Sequence, residues 1–82
     1  MTTQIQNKIL ADGKKRYHET LARHRNAQEA FEAVVSNLRD IFPNADPQEL
    51  LEDSQRIFEG SDGNYKTALD YICFMIEFRR AK

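Results

Sequence analysis

The side chains that could do chemistry in this sequence are two histidines, one cysteine, a basic run and a set of carboxylates. Their spacing limits what they can form. His18 and His24 stand six positions apart, which on a helix puts them on different faces, so they cannot share a metal as an i, i+4 pair would. His24 reads instead as a partly buried polar residue or a register-setting contact. Cys73 is the single cysteine, which excludes an internal disulfide and a thiolate-rich metal site within one chain. Inside the apolar run YICFMI it reads as a small buried core residue. Residues 61 to 70 lack the alternating oxygen ligands and distal glutamate of a calcium loop, and no glycine-rich phosphate loop follows a strand. The pattern points away from an enzyme and calls for neither a metal nor a cofactor.

The basic run Lys14, Lys15 and Arg16, continued by Arg23 and Arg25, is the one hint of nucleic acid. Domains that read DNA or RNA usually carry a basic surface overall, whereas this chain sums to -1 and shows no second recognition helix. A solvated helical face is the favoured reading, with weak nuclear targeting or contact with an acidic partner as the alternatives. The small net charge hides an asymmetry. Residues 1 to 25 hold six Lys or Arg against Asp12 and Glu19, while residues 40 to 62 hold seven acids against Arg56 alone. Opposite potentials at the two ends can steer a partner or pair two copies.

Positioning these groups falls to helices. At 82 residues the chain makes one domain with a thin margin of stability. With 3 Gly, 2 Pro, 40% apolar and 30% charged residues, the composition suits a folded helical protein rather than a disordered one. No stretch approaches the roughly 18 apolar residues needed to span a bilayer, and the polar N-terminus lacks a signal-peptide core. The chain reads as soluble and cytoplasmic, with no membrane partner.

From Tyr17, steps of four and three give Tyr17, Leu21, His24, Gln28, Phe31, Val35, Leu38 and Phe42, a heptad seam with a polar interruption. The spacing predicts one helix from about 14 to 42, about 43 Å long at 1.5 Å per residue. That is too long for so small a domain to cover, so its first part must project, fold back with a break, or pair with another chain. Ile5, Ile9 and Leu10 leave room for a short extra helix over 3–11. The pair Asp12-Gly13 either breaks the chain there or is carried through, since one helical Gly costs only about 1 kcal/mol.

Pro43 ends the long helix by removing a donor and restricting the residue before it. Asp46 caps the next helix by accepting from the amide of Glu49, Pro47 takes the first helical position, and Glu49 completes a capping box. This helix, about 47–59, presents Leu50, Leu51, Ser54, Ile57 and Phe58 and stops at Gly60 as a left-handed terminator. After a tight turn, a last helix over about 64–80 buries Tyr65, Ala68, Leu69, Ile72 and Ile76. Arg79, Arg80 and Lys82 sit where positive charge complements the helix dipole. The fold class is all-α: a small helical bundle forming one domain over 1–82, with 1–37 as a helical extension and 38–80 as a three-helix core.

The stretch Leu38 to Ile72 resembles the CUE domain, a ubiquitin-binding three-helix member of the UBA-like folds. That family carries a Met-Phe-Pro signature at the end of its first helix and an alanine with a leucine pair on its third. Here Ile41-Phe42-Pro43 stands for the signature, Asp46-Pro47 for the start of the second helix, and Ala68-Leu69 for the beginning of the third-helix motif. The match departs where Asp70 and Tyr71 follow Leu69 in place of a second leucine. The resemblance implies a partner-binding edge formed by Ile41, Phe42 and Pro43, with Asp46 at its rim and Leu69 on the other side.

Three functional expectations follow. The first is a non-catalytic interaction module that binds ubiquitin or a similar small protein at the Ile41-Phe42-Pro43 corner. The second is a stand-alone helical inhibitor or adaptor of a prokaryote or phage, of the anti-defence or anti-CRISPR type, acting by occluding a host protein surface. The third, compatible with either, is a homodimer pairing through Tyr17, Leu21, His24, Gln28 and Phe31.

Overall fold

The computed structural model describes residues 2–81, so Lys82 lies outside the described residues. Within them the chain forms α1 (Thr2–Arg23), α2 (Ala27–Ile41), α3 (Pro47–Gly60) and α4 (Tyr65–Arg80), with no strand. The all-helical bundle expected from the periodicity is what forms. Its N-terminal half is built differently from that expectation: the single helix over 14–42 is two helices, broken at His24, Arg25 and Asn26.

Local chemistry makes this break. Asn26 has extended backbone and its side chain accepts from the amide of Glu29 at 2.9 Å. The Glu29 carboxylate reaches back to the Arg25 amide at 3.1 Å and holds the Arg25 guanidinium at 2.9 Å. Asn followed three residues later by Glu is a helix-start signature, and the heptad seam running through it masks that signal. The alternative break at Asp12-Gly13 does not occur; α1 passes through both residues and contains the whole 3–11 stretch. Gly13 is instead where α1 comes close to α4. A Cβ there would stand 3.1 Å from the Cα of Phe74, so the missing side chain is what lets the two backbones approach.

Around the corner the expected turn chemistry is largely realised. The Phe42 amide donates to the Leu38 carbonyl at 2.8 Å and Ala45 to that of Phe42 at 3.1 Å. Asp46 caps α3 with Pro47 at its start, but its carboxylate takes the amide of Gln48, at 3.0 Å, rather than that of Glu49, and the exposed Glu49 side chain does not return to the Asp46 amide, so the expected capping box does not form. Gly60 is still helical and does not terminate α3. The left-handed residues are Asp62 and Gly63, with φ of 54° and 71°, and the Gly63 amide closes the turn onto the Phe58 carbonyl. Asn64 then caps α4 by accepting from Lys66 and Thr67.

The core cluster is supplied by α2, α3 and α4: Ala30, Phe31, Val34, Leu38, Leu50, Ala68, Leu69, Ile72, Cys73 and Ile76. Phe31, Phe58 and Tyr65 close one end with ring centroids 4.8 to 6.0 Å apart, within the range of favourable aromatic contacts. Helix α1 adds Tyr17 and Leu21 at the edge of this cluster and is tied to α4 by Arg16, whose guanidinium pairs with Glu77 at 2.7 Å. Three helices therefore enclose the core, and the fourth is laid across it.

Candidate protein-interaction site

The corner between α2 and α3 holds the residues that the sequence singles out. Ile41 and Phe42 are half-buried and packed against the core, while Pro43 and Asp46 are exposed. The corner is stiff, since one helix ends and the next begins within a few residues and each end has its own cap. Arg79, from the end of α4, stands over the Phe42 ring with its guanidinium carbon 6.0 Å from the centroid. The same Arg79 is paired with Asp53 of α3, whose carboxylate also faces Arg56 at 3.4 Å. Three helices thus converge behind Phe42, and one ring face is covered by a charge that α3 holds in place.

Leu69 is not at this surface. It is 0% exposed, in the middle of the core cluster, because α4 is packed against both α1 and α2 and the stripe containing Leu69 faces inward. The apolar edge at the corner is therefore Ile41, Phe42 and Pro43, with the carboxylates of Asp40, Asp46 and Glu49 exposed around it.

The predicted seam is not one stripe in this conformation. Tyr17, Leu21 and His24 are half-buried on and just after α1, Gln28 is exposed, and Phe31 is buried in the core. The break at 24–26 turns the two halves in different directions. The basic residues are also divided. Lys15, Arg16 and Arg23 share a cleft with Asp12, Glu19 and Glu77, where acids offset them. Lys14 lies on another side beside His18 and Asp70, and Arg25 is engaged with Glu29. Pairing with Arg25 holds the Glu29 carboxyl below its ordinary value, through the side-chain contact first and the backbone amide second.

Cys73 is buried, and desolvation pushes its thiol up to about 12. It is a core residue without the thiolate character that nucleophilic chemistry requires. Among the described residues no three His, Cys, Asp or Glu side chains are grouped so as to hold a metal ion, and no helix is long and apolar enough to cross a membrane.

Two surfaces lie outside the sequence-based expectations. Leu10, Tyr71 and Phe74 line a mostly apolar depression where α1 meets α4, with the rings of Phe74 and Phe78 stacked at 6.0 Å; Leu10 and Tyr71 are 57% and 59% exposed. Leu51 and Val35 form the centre of a second groove between α2 and α3. The available signal was that Leu10 and Tyr71 fall off the inward stripes of their helices. Comparison with protein-family models, with curated proteins and with solved structures finds no match for the chain.

Proposed function

We propose that this protein is a non-catalytic protein-interaction module similar to a CUE domain, which takes ubiquitin or a comparably small folded protein at the α2–α3 corner. The observation that carries this reading is the stiff corner where Ile41 and Phe42 stay half-exposed beside exposed Pro43. Ending one helix and starting another needs the proline and the aspartate cap; it does not need two large apolar side chains at the surface. Apolar side chains rimmed by polar ones are the usual form of a partner site. The acidic rim of Asp40, Asp46 and Glu49 suits a partner whose apolar patch is ringed by cations. A patch this small belongs at the low end of interface sizes, where binding is weak and transient.

The test is titration of isotopically labelled protein with ubiquitin. Amide shifts confined to residues 41 to 46, lost in Ile41→Asp with the rest of the spectrum intact, are the expected result. Unmoved amides at millimolar ubiquitin would end the reading.

A stand-alone inhibitor or adaptor is the second reading, favoured by the exposure of Leu10, Tyr71 and Phe78 away from the corner. Affinity capture from the native host separates the two. Loss of the captured protein in Tyr71→Asp, with retention in Ile41→Asp, selects the α1–α4 surface; the reverse selects the corner.

A further inference from the structure

The break between α1 and α2 is held by little. It contains neither Gly nor Pro, and what maintains it is the Asn26 cap and the Arg25–Glu29 pair, with the Arg25 side chain 88% exposed. The heptad sequence runs through the same three residues, from Tyr17 and Leu21 through His24 and Gln28 to Phe31. Sequence periodicity therefore supports a continuous helix where the folded chain makes a turn. Straightening that turn gives up the Asn26 cap and the Glu29 bond to the Arg25 amide, leaves Arg25 and Glu29 at the i, i+4 spacing that pairs on a continuous helix, and returns three residues to i to i−4 hydrogen bonding.

Helix α1 meets the rest of the fold chiefly through α4. The buried cluster comes from α2, α3 and α4, with Tyr17 and Leu21 at its margin, while α1 buries its own Ile9 and Gly13, so an α4 that loses its own α1 has an apolar face to cover again. The face that α1 leaves on α4 is shaped for α1 itself. Gly13 admits the Phe74 backbone, and Arg16 meets Glu77 in a pair whose side chains are 26% and 17% exposed. Another copy of α1 satisfies both features identically.

We propose that this chain forms an exchanged dimer: residues 24–26 straighten, α1 leaves its own α4, and the α1 of a second copy takes its place. The same contacts between α1 and α4 are made in both states, so chain concentration and the hinge set the balance, as for other exchanges of an identical element. In the straightened form Tyr17, Leu21, His24, Gln28 and Phe31 lie along one helix stripe, which accounts for a heptad pattern that continues across residues 24–26, where the closed chain interrupts it.

The hinge supplies opposed variants. Asn26→Ala removes the cap and installs the best helix former. With two hinges per dimer, the association constant measured by sedimentation rises about tenfold or more. Ala27→Pro does the opposite, because proline suits the first position of α2 and breaks a continuous helix, and the extended Asn26 backbone is what a residue before proline prefers. It stays monomeric at every concentration.

A third experiment reports exchange itself and needs neither hinge variant to fold. Arg16→Glu and Glu77→Arg each place like charges between α1 and α4. When the two variants are mixed, exchange seats the substituted α1 of the first on the substituted α4 of the second, which pairs opposite charges again. The other contact in that dimer restores the native Arg16–Glu77 pair. Mixing therefore yields heterodimer well above the statistical share. A monomeric Asn26→Ala, a dimer unaffected by Ala27→Pro, or no excess of heterodimer on mixing would each overturn the proposal.

Discussion

Arg79 joins the end of α4 to α3 and covers Phe42, so replacing it by alanine tests how the corner is held. Its side chain is 33% exposed and that of Asp53 is 15% exposed, which places the pair between two regimes. Orphaning a charge in a fully buried pair costs about 3–5 kcal/mol, and breaking a surface pair costs about 0–1 kcal/mol. Arg56 remains 3.4 Å from the Asp53 carboxylate, so the acid keeps a cation and the loss falls toward the lower regime. The guanidinium contact with Phe42 adds about 0.5–1 kcal/mol. Together these give a loss of about 1.5–2.5 kcal/mol for Arg79→Ala. At about 4–8 °C per kcal/mol for a domain of this size, the melting temperature falls by roughly 6–20 °C.

Urea unfolding followed by circular dichroism should show a lower midpoint with an unchanged slope. Arg79→Lys should recover less than half of the loss, since an ammonium lacks the planar fork that serves Asp53 and the ring together. A loss under about 0.5 kcal/mol would mean that solvent screens the pair completely. One above about 4 kcal/mol would mean that Arg56 does not compensate. Either result refutes the role assigned to Arg79 at the corner.

Cys73 offers a pH test. Burial pushes its folded thiol from 9.0 up to about 12, so the folded chain stays protonated while the unfolded chain ionises. The associated stability is complete below pH 9 and is lost as pH climbs toward 12; unfolding of Cys73→Ala should show a correspondingly shallower alkaline decline. Gly13→Val should destabilise by about 1–3 kcal/mol, because overpacking forces α1 away from the Phe74 backbone. Hydrogen exchange should show the loss of protection concentrated in α1, and a uniform loss across all four helices would refute this.

Much of the architecture is legible because helix ends are written in short-range chemistry. Pro43, Asp46 and Pro47 place the α2–α3 corner from residues within a few positions of one another, and Asn64 does the same for α4. The Asn26–Glu29 signature is equally local, yet the longer heptad run outweighs it in the sequence pattern. Gly60 has the composition of a terminator, but Gly63 is the glycine that turns left-handed, where its amide folds back onto the Phe58 carbonyl that the Ser61 amide also reaches. Of the candidate site, Ile41, Phe42 and Pro43 lie at the corner as their spacing indicates. Leu69 does not, because an amphipathic stripe says that a residue meets something apolar without saying whether the neighbour is the core or a partner.

By itself the sequence determined the helical class, the helix starts at Asp46 and Asn64, the proline stop and the buried character of Cys73. These depend on propensities and on hydrogen bonds that span three or four residues. Only the tertiary structure decided that Gly13 is a point of close approach rather than a break, that Arg79 covers Phe42, and that Leu69 is interior. Each of those depends on two segments distant in the chain meeting at a particular place, and no local pattern encodes where two helices will cross.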